Sequence, residues 1–283
     1  MSSQSAETKP DSDDRLPDYQ GLLGAYHRAF AAELQAMVDS LPIAQGDRVL
    51  DLACGDGVYS AWLARRVGET GLVASVDLLP AYLRLTRDQA GGDPRVSPTA
   101  ARLEDLPFAD GAFDVVWCAQ SLYSLPEPVE ALKQMARVVR PGGVVAILEN
   151  DTLHHVLLPW PVDVELAVRQ AEHDAYKRES DEPEKFYVGR RLVQVFRDAG
   201  LVRPAEQSRA TVRQAPLGPD ERTFLLEYFR DLANRARPRL TPAMQTTFDA
   251  LTTPGSPHCM AESPDLSLTC IDHVIWGFKP DAE

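Results

Sequence analysis

A glycine-rich turn separates a short apolar run from a helical pattern, and an acid ends the next apolar run. The turn contains Gly55 and Gly57, shortly after Asp51, and the acid is Asp77. Glycines let the backbone approach a ligand closely, and a helix that starts after them offers unpaired N–H groups. An acid about twenty residues after such a turn can accept both hydroxyl groups of a ribose. These residues predict a site for a cofactor that contains a nucleoside.

Three interpretations of this turn stay open on the residues alone. The glycines can serve a tight strand-to-helix turn for steric reasons, with no ligand. An NAD(P)-dependent oxidoreductase would use the same ribose-binding acid, although the third glycine of its G-x-G-x-x-G motif is absent here. The third possibility is a non-catalytic, cofactor-binding protein of the same fold, because a fold does not determine an activity.

The elements around the turn alternate between strand and helix. Strands are predicted at 47–53, 72–77, 95–99, 113–118 and 144–149, and helices at 57–67, after Pro80, and at 127–139. Such alternation specifies an α/β, doubly wound, mostly parallel sheet with helices on both faces, and Pro98 predicts that strand 95–99 lies at an edge. Ligands bind at the carboxyl ends of strands in these sheets. The residues that fall at those ends are Asp51, Asp77, Ala119, Gln120 and Glu149.

The rest of the chain divides into a tail, a covering helix and two long insertions. Residues 1–18 are predicted to be a disordered tail, and residues 19–283 one domain with its core at 46–150. Apolar residues at helical spacing from Leu23 to Met37 predict a helix that ends before Pro42. Segments 152–187 and 217–260 are predicted to cover the substrate. Further predicted elements are helices at 162–176, 190–199 and within 217–252, and strands within 201–213 and 266–279.

Four short motifs give the chain a resemblance to a known family. They are D-L-A-C-G-D-G at 51–57, L-E-D-L-P-F at 103–108, F-D-V-V at 113–116 and V-V-R-P-G-G at 138–143. In this order and spacing they resemble the class I S-adenosylmethionine-dependent methyltransferases, in particular the subgroup of the ubiquinone/menaquinone-biosynthesis enzymes. The likeness covers residues 46–149, roughly a third of the chain, and the motifs are specific together rather than singly.

This resemblance implies a seven-stranded Rossmann-like sheet with an antiparallel hairpin at its edge, helical insertions over the active site, and S-adenosyl-L-methionine as the cofactor. It implies that Asp51 orients the methionine amine and that Asp77 binds the ribose hydroxyls. The other cofactor-site residues that it implies are the backbone of Ala53, Cys54, Gly55 and Gly57, then Leu78 against adenine, Arg102 and Leu103 at the adenine edge, Ala119 and Gln120, and Tyr26 with its neighbours His27 and Arg28 on the N-terminal helix. Tyr26 is explained equally well as plain core.

One motif departs from the family pattern. The subgroup often has Gly-Asp-Ala-Glu before its Leu-Pro-Phe, and that Asp accepts the adenine amino group. This chain has Ala101-Arg102-Leu103-Glu104 instead, and a guanidinium accepts no hydrogen bond. Either Glu104 or a backbone carbonyl therefore takes that place, or the adenine sits differently.

Candidate residues for the methyl acceptor follow from the general chemistry of methyl transfer. Methyl transfer from a sulfonium needs positioning, desolvation and sometimes removal of a proton. His154 and His155 are candidate bases, and Glu149 is a candidate to steady a cationic intermediate at an alkene carbon. The alternative is that these residues cap a turn and face solvent, and a metal site lacks a recognised spacing. The residues that are candidates to line an apolar pocket are Tyr123, Trp160, Tyr187, Phe224 and Tyr228.

Composition narrows the substrate class. The chain has 283 residues, of which 44% are hydrophobic, and a net charge of −13. This charge argues against nucleic acid, because phosphate backbones are bound by basic patches. No apolar run reaches the roughly 20 residues that span a bilayer, and no secretory signal is evident. With cysteines that lack metal spacing, we expect a reduced, cytoplasmic protein that acts on a small molecule, in which a homodimer is possible.

Overall fold

The computed structural model describes residues 15–125 and 127–281, so the predicted tail lies outside the described residues as far as residue 14. The helices are α1 Gln20–Ala29, α2 Ala31–Asp39, α3 Val58–Val67, α4 Pro80–Ala90, α5 Pro128–Val138, α6 Val162–Glu179, α7 Leu192–Asp198, α8 Pro219–Arg235 and α9 Pro242–Thr252. The strands are β1 Arg48–Leu52, β2 Leu72–Asp77, β3 Val96–Ala100, β4 Phe113–Ala119, β5 Val139–Glu149, β6 Val156–Leu157, β7 Val202–Gln214 and β8 Ser267–Phe278.

These strands form one mixed sheet. Its order is β3-β2-β1-β4-β5-β8-β6, with β7 paired along the other edge of β8. Strands β1 to β5 are parallel, and β8 is antiparallel to β5, β6 and β7. The predicted fold class is therefore confirmed, with the Pro98 strand at an edge and the last two long strands antiparallel. The short β6 runs beside β8 beyond the end of β5 and adds an eighth strand to the expected seven.

The sheet has an apolar layer on each face. Side chains of successive strand residues point to opposite faces, so each central strand supplies both layers. Trp117 and Leu148 face α1, α2, α3, α6 and α8, whereas Val116 and Ile147 face α5 and α7. Burial on both faces is why these strands read as continuous apolar runs in the sequence.

The N-terminal segment differs from its prediction as one helix. Phe30 leaves helical geometry at φ −121° and ψ 20°, and it separates α1 from α2. The Phe30 ring is buried and packs edge-on against Phe224 of α8, with ring centroids 5.3 Å apart. Apolar spacing continues across the break and neither glycine nor proline marks it, so the sequence predicted a continuous helix.

The entry into β5 also differs. The predicted turn at residues 141–143 is a bulge inside the strand, because Phe113 pairs with Val139 and Val115 already pairs with Val144. Gly143 is needed there, since a Cβ would lie 2.7 Å from the carbonyl oxygen of Asp114. The bulge leaves the carboxyl end of β5, where the candidate site lies, in register with β4.

Candidate active site

The glycine turn after β1 is built from left-handed residues. Ala53, Gly55 and Gly57 have φ angles of 56°, 52° and 80°. A Cβ on Gly57 would lie 2.5 Å from the Cα of Thr86, so this glycine allows α4 to pack against the turn. Gly55 faces a more open space, where a Cβ would meet only Leu23 of α1, at 3.9 Å. Gly57 therefore serves packing, and Gly55 leaves backbone accessible beneath α1.

Cys54 holds the turn from inside. Its N–H donates to the carbonyl oxygen of Val76, and its Sγ lies 3.4 Å from the hydroxyl of Thr86. The same hydroxyl donates to the carbonyl oxygen of Gly55 at 3.1 Å. Burial raises the pKa of the Cys54 thiol, so this cysteine stays a neutral packing group. Its predicted contact with the cofactor is therefore left to its backbone.

Asp51 is buried beneath the turn. Its Oδ2 accepts a hydrogen bond of 2.5 Å from the Ser60 hydroxyl on α3, and Ser60 Oγ lies 2.7 Å from Ser75 Oγ on β2. Burial raises the pKa of Asp51 to about 7, although the hydrogen bond from Ser60 opposes this rise. A cationic amine placed against this carboxylate would favour its charged form. The geometry suits the predicted role of orienting the methionine amine.

Asp77 ends β2 and links it to the glycine turn. Its Oδ2 accepts from the Gly55 N–H at 3.0 Å, and its Oδ1 accepts from the Leu79 N–H at 2.9 Å. A carboxylate has lone pairs left for two further donors, such as ribose hydroxyls. The next residue, Leu78, is an apolar side chain that is 52% exposed. This unpaired apolar surface beside the acid is where an adenine ring is predicted to pack.

The departing motif follows β3. Arg102 is exposed and precedes a 3-10 turn at Leu103–Asp105, and Leu103 packs partly into the layer under α5. The Ala101 N–H donates to the carbonyl oxygen of Asp77, which brings this turn beside the ribose-binding position. The side chain of Glu104 lies outside the described part of the structure. Its proposed contact with adenine therefore stays a prediction, as does that of Arg102.

The glycine turn after β1 and the carboxyl end of strand β4 meet beneath His27 of α1. Gln120, directly after the buried Ala119 of β4, has a positive φ of 51°, which is uncommon for a residue with a side chain. The Nδ1 of His27 lies 2.9 Å from Asp56 Oδ2 in the glycine turn, and its Nε2 lies 3.4 Å from Gln120 Oε1. Helix α1 is thus pinned over the turn and the end of β4. Such strained positions cluster at functional sites.

The side chain of Tyr26 points toward β8 rather than toward the glycine turn. Its buried hydroxyl donates to Asp272 Oδ1 on β8, and its ring lies against His155 and Phe224. With the Asn150 amide oriented so that both of its ends are satisfied, the nitrogen donates to Asp272 Oδ1 at 2.9 Å and the oxygen accepts from His155 Nε2 at 3.0 Å. Tyr26 therefore joins a buried polar network at the end of β5, whereas His27 of α1 pairs with Asp56 in the glycine turn.

The two histidines after β5 have different surroundings. His154 is exposed, and its Nδ1 lies 3.2 Å from Asp151 Oδ2. Asp151 is also held by Arg190, so this cluster organises the turn and keeps the pKa of Asp151 low despite its burial. His155 faces inward, and burial followed by the charges of Arg169 and His273 lowers its pKa to about 3. His155 is thus neutral at pH 7, and His154 makes the contacts of a turn residue.

Glu149 lies on the opposite face of the sheet from Tyr26 and His155. Its carboxylate accepts from the N–H groups of Leu122 and Asn150 at 3.0 Å and 3.2 Å. Burial raises its pKa to about 7, although these backbone donors oppose the rise. The contacts are those of a side chain that caps the turn after β4. They favour a structural role over contact with an acceptor.

The aromatic residues predicted to line one pocket separate into two groups. Trp160, Phe224 and Tyr228 belong to the layer beneath α1 and α8. Tyr123 and Tyr187 pack instead with Phe186 in a small, separate cluster. Of the first group, Phe224 lies directly against Tyr26, and Tyr228 stacks on Phe224.

Asp272 and Ser60 were missed by the sequence analysis. Asp272 had a signal: it takes an inward position in β8 between the buried Cys270 and Val274. A charged residue at a core position of a strand calls for a partner or a ligand. Ser60 had no such signal, because a serine inside a helix is ordinary.

The comparisons with known proteins agree with this geometry. A family model described as a methyltransferase domain matches residues 50–147. The chain is 32% identical over 166 residues to the 2-phytyl-1,4-naphtoquinone methyltransferase of Nostoc sp., which covers 55% of this chain and 72% of that protein. It is 39% identical over 115 residues to the ubiquinone/menaquinone biosynthesis C-methyltransferase UbiE of Haemophilus ducreyi, which covers 40% of this chain and 44% of that protein.

A solved structure shows the same fold. It is the phosphoethanolamine N-methyltransferase 2 of Haemonchus contortus, in complex with phosphomonomethylethanolamine and S-adenosylhomocysteine. The TM-score is 0.52 at 16% identity, over 93% of this chain and 58% of that one. At this identity the likeness concerns the fold alone.

The sheet and its glycine turn define a Rossmann-like methyltransferase fold. The chain belongs to the class I S-adenosylmethionine-dependent methyltransferases and resembles their ubiquinone/menaquinone-biosynthesis subgroup, as its motifs predicted. S-adenosylmethionine is its cofactor, and the alignments give no support to the NAD(P)-dependent alternative. The residues present fit this group: Asp51 offers a carboxylate for the amine, Gly55 an open backbone, and Leu78 an exposed apolar surface.

Two further observations concern the described residues alone. Within residues 15–125 and 127–281, no helix has both the length and the apolar character needed to cross a membrane. Across the same residues, acidic, histidine and cysteine side chains do not gather in threes or more in a way that would hold a metal ion.

Proposed function

We propose that this protein transfers a methyl group from S-adenosylmethionine to a small, partly apolar molecule through an oxygen, nitrogen or carbon acceptor atom. The observation that carries this proposal is the arrangement of Asp51, Gly55 and Asp77 around the end of β1 in a chain of this family. Bound there, the cofactor supplies a methyl group already activated by its sulfonium. The protein then needs chiefly to position the acceptor and exclude water.

Each residue has a separate task in this proposal. Asp51 holds the methionine amine, the backbone at Ala53, Cys54 and Gly55 follows the ligand, and Asp77 accepts the ribose hydroxyls. Leu78 and Leu103 flank the adenine. His27 closes the site from α1 through its contacts with Asp56 and Gln120.

The two long insertions are proposed to form the part of the site that binds the methyl acceptor. Segments 152–187 and 217–260 place α6, α8 and α9 on the face of the sheet that carries Tyr26, so we infer that they cover the substrate. The net charge of −13 supports a small molecule over a nucleic acid. The four cysteines are free, buried thiols, which supports a cytoplasmic location.

Calorimetric titration with S-adenosylhomocysteine, NAD and NADP tests the cofactor assignment. We expect saturable binding of S-adenosylhomocysteine alone, and a loss of about 10- to 100-fold in affinity for Asp77→Asn, which keeps the shape of the carboxylate but weakens its acceptors. Asp88→Ala, on the exposed face of α4, is the matched control and should bind normally. Binding of a nicotinamide cofactor instead would refute the proposal.

Turnover is tested separately from binding. Wild-type protein loaded with isotopically labelled S-adenosylmethionine is incubated with a panel of hydroxylated aromatic compounds and reduced naphthoquinones, and label is sought in the acceptor. Labelled product supports the proposed activity. Intact cofactor binding with no labelled product from any acceptor class would favour the non-catalytic alternative.

A further inference from the structure

Asp272 is a fully buried carboxylate with an idle oxygen. Its Oδ1 accepts from the Tyr26 hydroxyl and, in the satisfied orientation, from the Asn150 amide. Its Oδ2 has no hydrogen-bond partner among residues 15–125 and 127–281. A buried polar atom without a partner costs free energy, and such atoms are rare in native interiors. An idle carboxylate oxygen at a site of this kind calls for a ligand that donates a hydrogen bond.

Two more buried polar atoms lack partners on the same face of the sheet. They are the hydroxyl of Tyr59 on α3 and the indole Nε1 of Trp117 on β4, unpaired within the described part of the chain. Their rings lie 5.4 Å apart, and Tyr59 also packs edge-on against His27. Burial, followed by the negative charge of Asp272, raises the pKa of Tyr59, so this hydroxyl stays protonated and able to donate a hydrogen bond.

Strand register places these groups beside the cofactor position. Glu149 of β5 pairs with His273 of β8, so Asp272 lies level with Asn150, just beyond the carboxyl end of β5. Trp117 pairs with Asp51 across β4 and β1. Trp117 and Asp272 therefore lie toward the carboxyl ends of the strands, where Asp51 is predicted to hold the methionine amine. Tyr59 packs against Trp117 in the layer covered by α1.

We propose that Asp272, Tyr59 and Trp117 form the polar end of the acceptor site and bind a hydroxyl or amine carried on an aromatic or otherwise apolar body. This inference rests on the proposed function and specifies its substrate class. Asp272 Oδ2 accepts the O–H or N–H of the acceptor, while Tyr26 and Asn150 hold the carboxylate in place. The rings of Tyr26, His155 and Phe224 form the apolar wall.

Asp272 also receives the proton that the reaction releases. For a hydroxyl acceptor, the O–H proton moves to Asp272 Oδ2 as the new C–O bond forms, and the electron pair of the broken S–C bond stays on sulfur. Burial raises the pKa of Asp272 to about 6. At pH 8 the carboxylate is therefore mostly charged and able to accept the proton, whereas below pH 6 it is mostly protonated.

A matched pair of ligands tests the idle oxygen directly. Phenol donates a hydrogen bond, and anisole has the same ring without the donor. In saturation-transfer NMR titrations of the protein loaded with S-adenosylhomocysteine at pH 8, we expect wild type to prefer phenol by about tenfold, because a site built for a donor rejects the analogue that lacks it. Asp272→Asn should lose the preference. Equal binding of the two ligands to wild type, or an undiminished preference in the variant, would overturn the inference.

A second carboxylate in the sheet provides the control. Asp114, at the opposite end of β4, accepts from the Arg48 N–H and the Arg140 guanidinium. Asp114→Asn should lower the unfolding midpoint and keep the phenol preference. Asp272→Asn should keep its midpoint at pH 8, because the raised pKa of Asp272 means that its charged form opposes folding above pH 6. If Asp272 had a structural role alone, Asp272→Asn would keep the phenol preference, as Asp114→Asn is expected to do.

Two further readouts separate the possible failures. Should Asp272→Asn not fold, Tyr59→Phe carries the same test, with the phenol preference expected to fall at least about threefold. An unchanged preference in that variant would overturn the inference. Normal binding of S-adenosylhomocysteine by each variant shows that the cofactor site is intact. If wild-type protein does not bind S-adenosylhomocysteine, the proposed function itself is refuted, independently of the acceptor site.

Discussion

Ser60 Oγ on α3 lies 2.5 Å from Asp51 Oδ2 on β1, and it also contacts Ser75 Oγ on β2 at 2.7 Å. One helical serine thus holds the carboxylate that is predicted to bind the cofactor amine. Burial raises the pKa of Asp51 to about 7, so near neutral pH a substantial fraction of this carboxyl is protonated before the cofactor binds.

The affinity for S-adenosylhomocysteine should therefore depend on pH through Asp51. The ligand ammonium favours the ionised carboxylate, so binding below pH 7 releases a proton and affinity falls by up to about tenfold per pH unit. Above pH 7 it should level off. Calorimetry in buffers of different ionisation enthalpy measures both the affinity and the protons released. Asp51→Asn should bind weakly with no proton release, and an unchanged proton count in that variant would exclude Asp51 as the group responsible.

Gly57→Ala should destabilise the fold more than an ordinary glycine substitution. Its new Cβ would meet the Cα of Thr86 at 2.5 Å, and the residue has a φ of 80°. We expect a loss of at least about 2 kcal/mol in the free energy of unfolding, from the left-handed backbone and the overpacking together.

The control for this substitution separates the two causes. Gly92 has the same φ of 80° with nothing within 4 Å of its would-be Cβ. Gly92→Ala should therefore lose only the backbone part, about 1 kcal/mol. Urea unfolding of both variants gives the comparison. Equal losses would show that packing of α4 against the turn contributes nothing.

The sequence predicted most of the fold, including the glycine turn and the strand ends beside it, for a physical reason. Strands buried on both faces appear as apolar runs, and a left-handed turn under a packed helix requires glycine at Gly57. The same signals also predicted that Asp51 and Asp77 lie at the carboxyl ends of β1 and β2. Both kinds of signal are local in the chain.

The acceptor side could not be predicted in the same way. Tyr26 and Asp272 are separated by 246 positions, and their contact depends on how α1 lies across β8. Glu149 was proposed for the acceptor because it ends a strand, but the direction of its side chain follows from the alternation along β5. The break at Phe30 likewise depends on packing against α8 rather than on a local residue.

Ala53→Gly should be neutral or stabilising, in contrast to most alanine-to-glycine changes. Ala53 has a φ of 56°, a conformation that costs an alanine about 1 kcal/mol or more and a glycine almost nothing. This relief offsets the extra entropy of glycine in the unfolded chain, about 0.4–1 kcal/mol. Ala167→Gly, inside α6, is the matched control and should lose about 1 kcal/mol. A clear loss of stability at both positions would refute the strain assigned to Ala53.

Tyr59→Phe should raise the stability of the protein without ligand. The Tyr59 hydroxyl is buried and has no partner in the described residues, so its removal should increase the free energy of unfolding by about 1 kcal/mol. Tyr187→Phe should do the opposite, because the Tyr187 hydroxyl lies 3.0 Å from His173 Nδ1 and the substitution removes this hydrogen bond. Urea unfolding at pH 8 measures both variants. A loss of stability in Tyr59→Phe equal to that in Tyr187→Phe would mean that the Tyr59 hydroxyl is satisfied within the free protein and is not held ready for an acceptor.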